Sequence, residues 1–186
     1  MATQKCLDSR LRGNDVRKHM KLTGTKEIWV FVDARSERHF ALSMNVLAKA
    51  RELAASVSGV TVALLMGSTL GAKHKKGASF PAPPAAARCV AGGADYVHFF
   101  DNPLLAVPRA DVYAPVIADA VESGAPLLVL FALTDFGREL AARTARLCSA
   151  GLIADCVDLA YRDGRVVASC PSWGGEILAK ITFTDG

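Results

Sequence analysis

Four short apolar runs recur along the chain with a helix-length stretch after each, and that alternation limits the folds open to it. They are EIWVFVD from Glu27 to Asp33, VTVALLMG ending at Gly67, GADYVHFFD entered through Gly93 and closed by Asp101, and LLVLFAL after Pro126. Runs of this length without a polar/apolar alternation suit strands covered on both faces. Parallel neighbours need crossover connections, and the intervening stretches have the length of helices. The first, SMNVLAKARELAASV, places Val46, Leu47, Ala50, Leu53, Ala54 and Val57 on one face, with Ser43 available as its N-cap. AAARCVAGG predicts a short second helix, and ADVYAPVIADAVES a third from about Arg109 to Ser123.

After a fourth helix, GRELAARTARLCSAG, come three strand-like pieces, LIADCVDL, RVVASC and EILAKITFT, with the turn RDG marking a hairpin. The expected fold is a three-layer α/β sandwich with a mainly parallel sheet and an antiparallel far edge. A chain of 186 residues, 51% hydrophobic and 22% charged, has enough apolar content for one compact domain. Residues 1 to 25 show no apolar period and are expected to be a mobile basic tail without function; Met20 reads as an equally good start. The domain proper is expected over residues 26 to 186.

The net charge of +4 does not make this a nucleic-acid binder. Residues 1 to 27 carry seven Lys/Arg against three Asp/Glu, and the rest balances at fifteen of each. No basic stripe interleaved with aromatics remains in the body. No apolar run reaches about 18 residues, so no membrane insertion is expected. Five scattered cysteines without a CxxC pair suit reduced thiols in a cytoplasmic protein, and dispersed histidines argue against a metal centre.

Parallel sheets bind ligands beyond the carboxyl ends of their strands, where strand order reverses. The candidate ends are Asp33, Gly67, Asp101 and the Leu133 to Arg138 loop, TDFGRELAAR being the most informative stretch. Thr134, Gly137 and Arg138 form a candidate nucleotide cleft: glycine permits close approach, the helix start offers N–H groups, and arginine can pair with phosphate. A plain turn glycine and a solvated arginine explain the same spacing. Asp33 and Asp101 are candidate acids or bases, although strand-terminal aspartates commonly satisfy turn N–H groups. GxGxxG and GxSxG are missing, and GAKHKKGAS fails as a Walker A loop because Ala78 follows its second glycine.

Read together, GRELAARTARLCSAGLIADCVDL and SCPSWGGEILAKI resemble the N-terminal domain of the electron transfer flavoprotein alpha subunit, over roughly Glu27 to Asp185. Gly137, Arg138, Leu140, Ala141, Arg143, Gly151, Leu152, Asp155, Pro171, Gly174 and Gly175 fall on that family's pattern, whereas Cys170 and Glu176 stand where it has Arg and Asn. The resemblance implies an adenine-nucleotide-hydrolase-like fold and a scaffold role in a flavin electron carrier with a beta-like partner subunit. It also implies that Arg138 and Arg143 pair with carboxylates within the fold or across an interface, and that Arg143, Gly174 and Gly175 have a partner-binding or structural role. The family's FAD sits mainly in a second, C-terminal domain, so FAD is expected only in complex with a partner or with that domain. The alternative, from another class, is a standalone module binding AMP, ATP or FAD, akin to universal stress proteins.

Overall fold

The computed structural model describes residues 3–8, 26–68 and 82–183. Its main sheet has five strands: β1 (Thr3–Asp8), β2 (Glu27–Phe31), β3 (Val60–Gly67), β4 (Tyr96–Asp101) and β5 (Leu128–Phe131). Their order is β1-β4-β3-β2-β5, with β2 to β5 mutually parallel and β1 antiparallel to β4 in the register Thr3↔Asp101 to Asp8↔Tyr96. The expected tail therefore includes one strand, and the remainder of residues 1 to 25 lies outside the described residues, as does GAKHKKGAS.

Four helices connect and cover the strands: α1 (Glu37–Ser56), α2 (Ala82–Ala91), α3 (Ala110–Gly124) and α4 (Asp135–Leu147). The chain steps outward from β2 through β3 to β4, then returns past β2 to reach β5. Right-handed crossovers in opposite directions put their helices on opposite faces. Accordingly Phe40, Leu47, Ala50 and Leu53 of α1 and Cys89 of α2 pack on Ile28, Val30, Ala63, Leu65 and Val97. On the other face Tyr113, Ala114 and Ile117 of α3 and Leu140 of α4 pack on Trp29, Phe31, Val62, Leu64 and Met66. Alternate residues of one strand thus feed two cores, which is why the runs are mostly apolar on both faces, with Thr61 and His98 as exceptions. Burial pushes the Cys89 thiol up to about 12, so this buried cysteine is a packing residue.

Three features depart from the sequence reading. Helix α1 starts about two turns before Ser43, at the N-cap Ser36, whose Oγ accepts from the His39 N–H at 3.3 Å. Ser43 is instead buried in the helix, where its hydroxyl donates to the His39 carbonyl at 3.0 Å and accepts from the Asp33 N–H at 3.0 Å. The second departure is β5: as the outer strand, its four residues are all only partly buried. The third concerns β6 (Asp158–Arg162), β7 (Arg165–Ser172) and β8 (Ile177–Thr182), which form a separate antiparallel sheet in the order β6-β7-β8. Leu159 and Tyr161 of β6 pack against the α1 core, and the RDG turn closes the expected hairpin with Arg162 opposite Arg165. The three-layer α/β sandwich stands, with its antiparallel edge supplied by β1. Among the described residues no helix is long and apolar enough to cross a membrane.

Because Leu47 and Ile117 are both wholly buried on opposite faces of the sheet, Leu47→Ala and Ile117→Ala should each lower stability by about 3 kcal/mol, read as a shift in urea midpoint. Equal losses would show that neither layer is dispensable.

Candidate functional site: a cleft where the strand order reverses

Strand β2 has β3 on one side and β5 on the other, and the connections leave it in opposite directions. The loops after β2 and β5 therefore separate at their tips and leave a cleft of about 380 Å³. Arg35, Arg38, His39 and Leu42 form one wall, and Leu133 to Phe136 form the other.

The floor is held by charge. Asp33, 4% exposed, receives Arg35 Nε at 2.9 Å and Nη2 at 2.6 Å, as well as the Arg35 backbone N–H at 3.1 Å. The hydrogen bond to Asp33 raises the Arg35 pKa further above its ordinary value. The guanidinium also lies 4.2 Å from the centre of the Phe136 ring, so one side chain fastens the two loops together. Phe136 packs edge-on to Tyr113 at 5.9 Å, and burial, with the Asp33 charge second, pushes the Tyr113 hydroxyl up to about 12. Asp33 is thus engaged in positioning Arg35.

On the upper wall Ser36 Oγ accepts from the His39 N–H and lies 2.7 Å from His39 Nδ1. Either partner can donate in that contact: with the imidazole proton on Nε2 the Ser36 hydroxyl donates to Nδ1, and with it on Nδ1 the ring donates to Ser36 Oγ. On the opposite wall Thr134 caps α4, its Oγ1 accepting from the Gly137 N–H at 2.9 Å.

The structure distributes the expected site residues unevenly. Thr134 lines the cleft. Gly137 does not: a Cβ there would come within 2.1 Å of the Ala132 carbonyl oxygen, so the glycine permits the β5–α4 turn itself. Arg138 turns away to Asp155, 2.7 Å from its Oδ1, joining α4 to the segment before β6. Arg143 pairs with Glu139 along α4 at 2.9 Å. Gly174 and Gly175 sit in the turn between β7 and β8 with φ of 68° and 96°, a conformation suited to glycine. Asp101 ends β4, two strand spacings or roughly 10 Å from β2, so the sheet does not bring it to Asp33. Sequence reasoning passed over Arg35, Arg38, His39 and Phe136. The signal for the first three was DARSERH, a dense polar cluster directly after a buried strand ending in Asp.

At about 380 Å³ the cleft lies near the lower end of ligand pockets, which run from about 300 to 1,000 Å³. Among the described residues its lining carries two arginines, Arg38 and Arg35, the latter already paired with Asp33, and its volume is small for a flavin dinucleotide.

Comparison with known proteins adds a family frame. The family described as "Electron transfer flavoprotein domain" matches residues 28–186. The electron transfer flavoprotein subunit alpha of Thermoanaerobacterium thermosaccharolyticum is 33% identical over 162 residues, covering 86% of this chain and 45% of that protein. The corresponding subunit of Clostridium acetobutylicum is 32% identical over 164 residues, with the same coverages of 86% and 45%. Subunit LctC of the lactate dehydrogenase (NAD(+),ferredoxin) of Acetobacterium woodii is 33% identical over 155 residues, 83% of this chain and 34% of that subunit. The chain spans under half the length of these relatives.

Two substitutions probe how the site is held. Gly137→Ala should cost about 2 to 3 kcal/mol by driving a methyl into backbone, seen as a lowered unfolding midpoint. Arg35→Ala should cost about 1 to 2 kcal/mol, less than for a fully buried pair because Arg35 keeps 30% of its side chain exposed. Additivity of Arg35→Ala with Asp33→Asn in a double-mutant cycle would show that the pair contributes no coupling.

Proposed function

The chain belongs to the electron transfer flavoprotein domain family, and on that premise we propose that it is the alpha-subunit-like scaffold and partner-binding part of a flavin electron carrier. The family match over residues 28–186, with alpha-subunit relatives aligned over most of the chain, is the observation that carries this reading. Two structural features support it.

The first is the small sheet. Its strand β8 is an outer edge, and Ile177 and Leu178, neighbours that project to opposite faces, are 53% and 52% exposed. Ile181, Phe183 and Val157 are exposed as well, and Trp173 in the preceding turn is 81% exposed. A strand edge with apolar side chains on both faces is a liability in an isolated chain and a docking surface in a complex. Exposed Trp is also the residue type most often found to anchor interfaces. The partner proposed for this surface is a beta-like subunit.

The second is the cleft's poor fit to a flavin dinucleotide. The flavin of the proposed carrier is therefore held chiefly outside this domain, in the complex or in a further domain. The present residues contribute the rigid base on which the partner sits, with Arg138 and Asp155 fixing the base of the small sheet to α4. The compartment proposed is the cytoplasm.

Co-expression with a beta-like subunit should yield a complex that carries flavin absorbance in the visible, whereas the chain alone should be colourless. Ile181→Asp should weaken that complex at least tenfold, about 1.4 kcal/mol, with an unchanged far-UV circular dichroism spectrum. Stoichiometric flavin on the isolated chain, or no complex with any such subunit, would sink the reading.

A further inference from the structure

We infer that Cys156 and Cys170 form a reversible disulfide across the first hairpin of the small sheet, a modification site that rests on neither the cleft nor the partner reading. Two thiols at this place are a property of this chain, since Cys170 stands where the family pattern has Arg. Both are free in the structure, Cys156 partly exposed and Cys170 buried.

The strand register brings them together. Strands β6 and β7 meet at a turn of Asp163 and Gly164, with Arg162 opposite Arg165. Hydrogen-bonded and non-hydrogen-bonded pairs alternate away from such a turn, which makes Asp158 and Ser169 a hydrogen-bonded pair. The ladder thus directs the Asp158 N–H at the Ser169 carbonyl, which also accepts from the Val157 N–H at 2.9 Å. Two successive residues set against one make a β-bulge, and the extra residue is Val157. Cys156, not Val157, therefore falls opposite Cys170. Directly opposed antiparallel residues hold their Cβ atoms about 4.5 to 5.5 Å apart and a disulfide takes about 3.5 to 4.5 Å, so the two ranges meet.

The Cys170 S–H points back at the segment before β6: its Sγ lies 3.7 Å from the Ala154 carbonyl oxygen, two residues from Cys156. Burial first and the neighbouring Cys170 second push the Cys156 thiol above its ordinary range. A thiol so shifted is a slow nucleophile, so the pair suits gradual equilibration with its surroundings and not rapid dithiol catalysis. Cys89 and Cys148 lie on other elements, in the α1–α2 core and at the end of α4. The oxidant is a low-molecular-weight disulfide such as oxidised glutathione. The Cys156 thiolate attacks it, forming a mixed disulfide and releasing one glutathione thiolate; the Cys170 thiolate then attacks the Cys156 sulfur and releases the second. Two electrons pass to the oxidant, and the protons of the two protein thiols end on the two glutathione thiols. The thirteen residues 157 to 169 are enclosed, so the bond locks bulge and hairpin together.

The test is disulfide mapping by mass spectrometry of the full chain, equilibrated under native conditions in glutathione buffers, alkylated and digested with trypsin. With oxidised glutathione in excess, the peptides Leu147–Arg162 and Val166–Lys180 should be recovered joined, two hydrogen atoms lighter than their sum. Excess reduced glutathione should separate them. Cys148 shares the first peptide, so Cys148→Ser should leave the link in place and Cys156→Ser should abolish it. Further cleavage before Asp155 in the unsubstituted chain parts Cys148 from Cys156 and assigns the bond with no substitution that could disturb folding. No link under excess oxidised glutathione, a link made through Cys148, or one found only between two chains would overturn the assignment.

Discussion

Strand β2 is hydrogen-bonded along both edges, to β3 on one side and β5 on the other. From this double pairing follow the two-sided core, the helix layers and the cleft. A strand in that position has no face or edge left for water, so Ile28, Trp29, Val30, Phe31 and Val32 are all almost fully buried. Connections leaving it in opposite directions place α1 and α2 on one face and α3 and α4 on the other. They also force the chain apart at the carboxyl end of β2, and a gap there costs nothing extra because the backbone on each side is already committed to helix.

That gap would be a weak point without the Asp33, Arg35 and Phe136 cluster across it. Burying a carboxylate is expensive unless donors surround it. Here Arg35 supplies both guanidinium and backbone donors, and its flat face rests on Phe136 from the other loop. Asp33 looked like a catalytic candidate because it ends a buried strand. Its neighbours show that the same burial calls for a structural partner, and Arg35, two residues on, meets that need.

The fold was largely legible. Apolar runs without polar alternation require cover on both faces, which four helices supply, and the RDG hairpin appears where its turn chemistry puts it. The errors have physical causes. Ser43 looked like a cap because it precedes the strongest apolar period, yet a buried serine inside a helix satisfies its hydroxyl through the carbonyl four residues back. The run LLVLFAL signals a strand but carries no information about its place in the sheet, so its edge position was not readable. The three C-terminal strands show their pairing to one another but not whether they extend the parallel sheet. The candidate site was half legible: Thr134 lines the cleft, while Gly137 and Arg138 fit their motif because the turn and the Asp155 pair need them.

The sequence by itself determined the alternation of strands and helices, the two-sided burial of the central strands and membership of a family, since each of these is encoded in contiguous residues. Only the tertiary structure decided which loops become neighbours. Arg38 and Asp135 are nearly a hundred positions apart, and no local pattern relates them. They face each other because the chain returns from β4 past β3 and β2, so that β5 pairs with the far edge of β2. The same return determines which arginines are occupied: Arg35 meets a buried carboxylate, Arg138 meets Asp155, and Arg38 is left open to the cleft. Charge pairing across a fold depends on distances in space, which the order of residues along a chain does not specify.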